Sequence, residues 1–345
     1  TIHTKRMNAA LFCGDDLWLP AWQEGRGEHT LKYRMTVQDP ELILYSSWFC
    51  PFAQRAWIAA EEKCVNYRWE EINPYQVDPR QPGGYTKKQL PLAEKKMLYP
   101  QFVQASPKGL VPAVQCGDEL LAESQPIIEY IDLKFQSSAP RLCSDDPYER
   151  ARTRIWADYA NDKIQRPYYR MLVEQSEEAR QLAYADLIEG CKTFSRAMAP
   201  ATQGPFFMGD RFSYTDVSFA PFFQRILVVG SHYRQISLPQ DDADITRLMH
   251  WWDACKNRKS IANTLVSSER LISSYSNYAE NKATSDFAQG LMSSLSASTR
   301  ASSSLAATAA AKNVAASPSV ILSLTAFTGF LAGLAIGMIA RRPSS

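Results

Sequence analysis

The sequence predicts an α+β fold followed by an all-α domain, with a single apolar helix near the C-terminus. Three observations carry this reading. Between Glu41 and about Phe135, apolar runs of strand length alternate with helical spacing; from Pro147 to about Asn277, apolar residues recur only three and four apart; and Val320 to Ala340 is uncharged and apolar. The chain of 345 residues thus divides into an N-terminal extension (1–40), an α+β domain (41–135), an all-α domain (147–278), a Ser/Ala-rich tether (279–318) and a transmembrane helix (319–340).

The extension mixes turn formers with Trp18, Trp22 and Tyr33, shows no periodicity and receives no function. The first strand is Leu42-Ile43-Leu44-Tyr45, and it runs through Ser46 to Phe49 into a helix opening at Pro51. Proline is tolerated at the first helical position because its missing N–H has no intrahelical partner there, so Cys50 falls at the N-cap. The second strand is Tyr67 to Ile72. A long connection from Asn73 to Gln104 follows, punctuated by Pro74, Pro79, Pro82, Pro91 and Pro100, and it reads as only partly helical. Val111–Gln115 and Glu119–Ala122 are joined through Cys116-Gly117-Asp118, a hairpin signal, and a helix capped near Ser124 runs to Lys134. One parallel βαβ unit followed by a β-hairpin and a helix is the thioredoxin-like arrangement.

In the second domain the spacing of Ile155 and Tyr159, and of Leu182, Leu187, Ile188, Cys191 and Phe194, predicts amphipathic helices. Ser213 three residues before Asp216 is a capping-box signal, so a central helix is expected from Tyr214 to about Val229. Residues 279–318 have too few large apolar groups to bury a core. The terminal apolar segment is long enough to span the roughly 30 Å hydrocarbon layer. Within it Gly329, Gly333 and Gly337 share one face, a spacing compatible with a homodimer in the bilayer.

A net charge of +2 without a long basic run argues against a nucleic-acid partner. The seven cysteines are scattered, with no zinc-ligand or disulfide-framework spacing, which fits a reducing compartment. The four histidines lie far apart, so no metal site is expected. Cys50 stands out. At a helix start, free backbone N–H groups can lower a thiol pKa to roughly 3.5–7.5 and supply the nucleophilic thiolate. Position 53 is alanine rather than a second cysteine, so a disulfide formed on Cys50 needs an outside thiol to resolve it.

Cys50-Pro51-Phe52, Gly109-Leu110-Val111-Pro112-Ala113-Val114, Glu123-Ser124 and, in an all-α domain, Ser213-x-x-Asp216 follow in an order that resembles the cytosolic glutathione transferases. The cysteine makes the chain similar to the omega class over roughly residues 41–278. This resemblance implies a thioredoxin-like domain joined to a helical domain, with glutathione as cosubstrate. Cys50 would form the mixed disulfide with glutathione, and Phe52 would pack against it. Val111 would pair its backbone with the cysteinyl part, held by a cis bond to Pro112, while Glu123 and Ser124 would bind the γ-glutamyl end. The long connection leaves the lysine for the glycyl carboxylate unassigned among Lys87, Lys88, Lys95, Lys96 and Lys108. Trp156, Tyr159, Tyr168, Tyr169 and Trp252 are candidate walls for the second substrate.

The implied activity is that of a glutathione-dependent thiol transferase or reductase acting on a small electrophilic or disulfide substrate: a mixed disulfide, an S-glutathionyl ketone or dehydroascorbate. The rival reading is a tail-anchored glutathione-transferase-like protein acting in organelle dynamics without catalysis. With the folded part N-terminal to the span, the enzyme is expected to face the cytosol. A glycine-rich span followed by Arg341-Arg342 favours mitochondrial outer membrane or peroxisome over endoplasmic reticulum.

Overall fold

A computed structural model describes residues 5–7, 41–81, 84–135, 140–283 and 290. All belong to one compact unit. The expected span at 319–340 and most of the tether lie outside the described residues, among which no helix is long and apolar enough to cross a membrane.

Strand β1 (Lys5–Met7) is followed by β2 (Leu42–Ser46), helix α1 (Pro51–Glu62) and β3 (Tyr67–Glu71). β2 and β3 are parallel, the right register for a βαβ crossover through α1. β1 pairs antiparallel with β3, an edge strand that the extension's lack of periodicity did not announce. Leu42 and Leu44 are fully buried, as a central strand covered on its faces requires. After β3 the long connection forms an antiparallel hairpin, β4 (Tyr75–Val77) and β5 (Tyr85–Gln89), and then two short helices, α2 (Leu92–Leu98) and α3 (Pro100–Ala105). β6 (Ala113–Cys116) and β7 (Glu119–Ala122) complete a sheet of order β1-β3-β2-β6-β7, and α4 (Ser124–Lys134) packs against α1. Among the described residues five cysteines are free thiols, whereas Cys64 is disulfide-bonded, a departure from the reading of scattered reduced cysteines.

The second part is helical: α5 (Pro147–Ala160), α6 (Arg166–Val173), α7 (Glu177–Ala197), α8 (Tyr214–Arg225), α9 (Ser231–Arg234), α10 (Ala243–Asn257), α11 (Lys259–Ala262) and α12 (Ser268–Ala279). Wide π turns at Asn161–Gln165 and Ile226–Gly230 carry α5 into α6 and α8 into α9, so the predicted helix from Tyr214 to Val229 is present with its last turn unwound. Every residue of α8 is buried, which makes it the axis of the domain. At its start the Asp216 carboxylate accepts from Ser213 N–H (2.8 Å), Ser213 Oγ–H (2.7 Å), Phe207 N–H (2.9 Å) and Trp251 Nε1–H (2.7 Å). The capping residue thereby ties three segments together.

α7 passes so close to the first π turn that a Cβ on Gly190 would lie 2.0 Å from the Lys163 carbonyl oxygen. Gly190→Ala must push backbone apart, and overpacking of this kind costs about 1–3 kcal/mol. A fall in the urea midpoint with an unchanged slope is expected; an unshifted midpoint would refute this contact.

The two parts are wired together through polar groups on α1. Gln54 donates to the Thr264 carbonyl at 2.9 Å, Arg55 Nε to the Ser218 carbonyl at 2.8 Å, and Glu62 accepts from Arg258 Nε at 2.9 Å and Ser260 Oγ at 2.6 Å. Lys63 forms a fully buried pair with Asp132 of α4 at 3.2 Å, and Asp132 also accepts the Leu142 and Cys143 N–H groups at 3.0 Å. Each buried charge has hydrogen-bonding partners, which burial demands.

Candidate active site

A cavity of about 570 Å³ opens between the start of α1, the β4–β5 hairpin, the β6 approach, the start of α4, and helices α6 and α12. All six sequence-predicted residues, Cys50, Phe52, Val111, Pro112, Glu123 and Ser124, line it.

Cys50 is extended (φ −85°, ψ 118°) and caps α1, with Pro51 as the first helical residue. The thiol pKa is raised rather than lowered, contrary to the helix-start expectation. Burial against apolar walls is the larger effect, and it outweighs the opposing pull of the Ala53 and Phe52 N–H groups and of the Arg225 and Lys87 charges. The helix N-terminus acts in the expected direction but does not prevail.

The Val111–Pro112 peptide bond is cis. Glu123 takes a positive φ of 76° immediately before α4, an unusual conformation for a side chain of its size. It places Glu123 at the cavity rim, where its carboxylate meets Lys108 Nζ at 3.2 Å with both side chains largely in water. Ser124 is buried and accepts from Arg55 Nη1 at 3.3 Å. Arg55 itself is 2% exposed and stacks on Phe52 and Phe222, and burial brings its pKa down to about 10. One α1 arginine thus supports both Ser124 and the Phe52 ring.

Of the five lysines considered for the glycyl carboxylate, Lys87 and Lys108 line the cavity, and several aromatic cavity groups were not anticipated from sequence. Lys87, on β5, is 3% exposed. Its Nζ lies 4.2 Å from the Phe49 ring centre, 4.7 Å from Tyr75 and 4.9 Å from Tyr85, and its hydrogen bond to Ser274 Oγ is long at 3.4 Å. Burial pulls its pKa from 10.5 to about 7, with the Cys50 charge acting to raise it and Arg225 to lower it. Tyr75, Tyr275 and Tyr278 also face the cavity, and of the aromatic residues proposed as walls only Tyr169 does. Trp156 packs on Phe194 and Phe207, Tyr168 is fully buried, and Trp252 packs on Phe223, so these belong to the helical core. For Lys87 the signal lay in the alternation Tyr85-x-Lys87, which puts both side chains on one face of a strand.

Arg225 is fully buried at the end of α8, with its guanidinium turned to the back of the cysteine loop. It donates to the Phe49 carbonyl (3.2 Å), Gln54 Oε1 (2.7 Å), the Pro221 carbonyl (2.7 Å) and the Tyr275 hydroxyl (3.0 Å). Of the remaining lysines, Lys95 is buried and held by Gln89 Oε1 and the Gly109 carbonyl, while Lys88 and Lys96 are exposed away from the cavity. Among the described residues no cluster of His, Cys, Asp and Glu could hold a metal.

Two family models match the chain: the glutathione S-transferase N-terminal domain over residues 49–134 and the C-terminal domain over 177–254. The chain belongs to the glutathione transferase superfamily. It is 26% identical over 234 residues to glutathione S-transferase 3 of Glycine max, covering 67% of this chain and 92% of that protein. Protein IN2-1 homolog A of Oryza sativa subsp. japonica is 29% identical over 200 residues, 58% of this chain and 71% of its own. Among solved structures, glutathione transferase Omega 3C from Trametes versicolor superposes with a TM-score of 0.57 at 29% identity, over 72% of this chain and 94% of that one. The Tau class transferase of mango, at 21% identity and TM-score 0.55, shares the fold over 69% of this chain and 98% of its own. In this glutathione transferase the N-terminal domain match starts at Phe49, so it contains all six predicted cavity residues and Lys87.

Proposed function

We propose that this glutathione transferase is a thiol transferase of the omega kind, with Cys50 as its nucleophile and glutathione as its cosubstrate. The observation that carries the reading is the position of Cys50: a single free thiol at a helix start, in one cavity with the Glu123-Ser124 helix start and the Val111-cis-Pro112 edge. The Val111 backbone suits the cysteinyl part of a peptide-like ligand. Glu123 supplies an acceptor for the γ-glutamyl ammonium, and the N-terminus of α4 supplies donors for its carboxylate.

Cys50 thiolate attacks the glutathionyl sulfur of a mixed disulfide R–S–S–G. The S–S bond breaks, R–S⁻ leaves and takes up a proton, and glutathionyl-Cys50 remains. A glutathione thiolate then attacks that disulfide, releasing glutathione disulfide and the Cys50 thiolate. Conjugation through an activated glutathione thiolate is a weaker reading, because the residue at the start of α1 is a thiol, which exchanges with disulfides, and not a hydroxyl that would donate to a glutathione thiolate. The apolar segment 319–340 adds the proposal that the enzyme is held at a membrane facing the cytosol.

Incubating the protein with glutathione disulfide and weighing it intact tests the nucleophile. A gain of one glutathionyl group, absent in Cys50→Ser and reversed by glutathione, is expected. Loss of thiol transfer in that variant should be at least about 10³-fold, since no second cysteine lines the cavity. A folded protein without an adduct on Cys50 would overturn the reading.

A further inference from the structure

The deepest cation in the cavity has no counter-ion. Lys87 makes no ion pair among the described residues, and every titratable group that faces it is neutral at rest or positive. These are the Cys50 thiol from α1, the Tyr75 and Tyr85 hydroxyls from the hairpin, Arg225 from α8, and Tyr275 and Tyr278 from α12. A lysine placed only for packing on rings would be better replaced by an apolar side chain, because an unpaired ammonium is costly to bury. The facing aromatic rings offset only part of such a cost. The carboxylate that lines the cavity, Glu123, sits at the exposed rim against Lys108, so of the groups facing Lys87 it is Cys50 that can give it a counter-charge; Cys50 lines the same cavity and follows Phe49, whose ring Lys87 caps at 4.2 Å.

We propose that Lys87 is the acid–base partner of Cys50, taking the thiol proton when the nucleophile is needed and returning it to the departing thiolate. The proposal rests on the thiol-transfer reading for its second half. Neutral Lys87 accepts the proton of Cys50-SH, leaving a thiolate beside an ammonium with no change in net charge. The thiolate forms the new S–S bond to glutathionyl sulfur as the bond to R–S breaks, and R–S⁻ takes the proton from the Lys87 ammonium to leave as R–SH. The lysine ends neutral, ready for another cycle, and no other co-reactant is required. That Lys87 is set to carry a proton near neutrality agrees with its lowered pKa of about 7.

Two coupled groups lose their protons in two macroscopic steps that belong to the pair. The test is the rate of Cys50 alkylation by iodoacetamide against pH, read by intact mass in the full chain, for the wild type, Lys87→Met and Lys87→Arg. The wild-type rate should rise through an inflection near pH 7, level off, and rise again above pH 9. Lys87→Met should lose the lower step, reacting at least 10-fold more slowly at pH 8. Lys87→Arg, whose charge is fixed, should react in a single step with no inflection near pH 7. Persistence of the lower inflection in either variant would overturn the assignment, and the two variants guard against one of them failing to fold. Alkylation needs no glutathione, so a failure of the thiol-transfer reading would show in the adduct experiment and not here.

Discussion

Asp216→Ala is expected to remove most of the stability of the helical domain. The carboxylate is fully buried and accepts four hydrogen bonds, two of them from Phe207 in the preceding loop and Trp251 on α10. The alanine leaves Ser213 N–H, Phe207 N–H and Trp251 Nε1–H buried without an acceptor. Each orphaned donor costs about 1–3 kcal/mol, against a total stability of about 5–15 kcal/mol for a typical domain. A loss of at least about 4 kcal/mol in urea unfolding is the expected result. Asp216→Asn keeps one acceptor oxygen and should lose less. Two variants of equal and near-wild-type midpoint would show that the capping carboxylate is not a structural junction.

Arg225→Met is expected to damage fold and chemistry together. It removes four hydrogen bonds, one to the Phe49 carbonyl that precedes the nucleophile, and leaves Gln54 Oε1 and two carbonyls unanswered. Breaking a buried charged network of this kind costs about 3–5 kcal/mol. The chemical effect has a definite sign. Arg225 is a cation that lowers the Cys50 pKa, so its loss raises that pKa further and moves the upper rise of Cys50 alkylation to higher pH. Arg225→Lys restores charge without the fork, and should recover part of the alkylation profile but little of the stability. A stable Arg225→Met protein with an unchanged Cys50 profile would remove Arg225 from the site.

The residues that could be read in advance are those whose role is local. Cys50 before Pro51, the Val111-Pro112 junction, Glu123-Ser124 at a helix start and Ser213-x-x-Asp216 all announce themselves through backbone rules acting over a few residues, and the structure gathers the first three groups in one cavity. The long connection after β3 was obscure for the opposite reason. Its proline and glycine spacing marks breaks but does not say that Tyr75 and Gln89 will pair across them. Lys87, Tyr275 and Tyr278 come from segments nearly two hundred positions apart, and only packing of β5 on α12 brings them to the same place. The depressed thiol pKa failed because it weighed the helix N-terminus alone, whereas the walls that desolvate Cys50 come from several of these distant segments.

The polar face of α1 has a consequence for building hybrids of this enzyme. Gln54, Arg55 and Glu62 finish their hydrogen bonding on Thr264, Ser218, Arg258 and Ser260, all supplied by the helical part. A transplanted helical half from a relative would have to reproduce those acceptors and donors as well as Arg225. Otherwise it would leave charges stranded in the seam directly behind the nucleophile. The boundary at residues 135–147 is therefore a poor place to cut and rejoin, and exchange of substrate preference is better sought in the β4–β5 hairpin, which reaches the cavity from its other side.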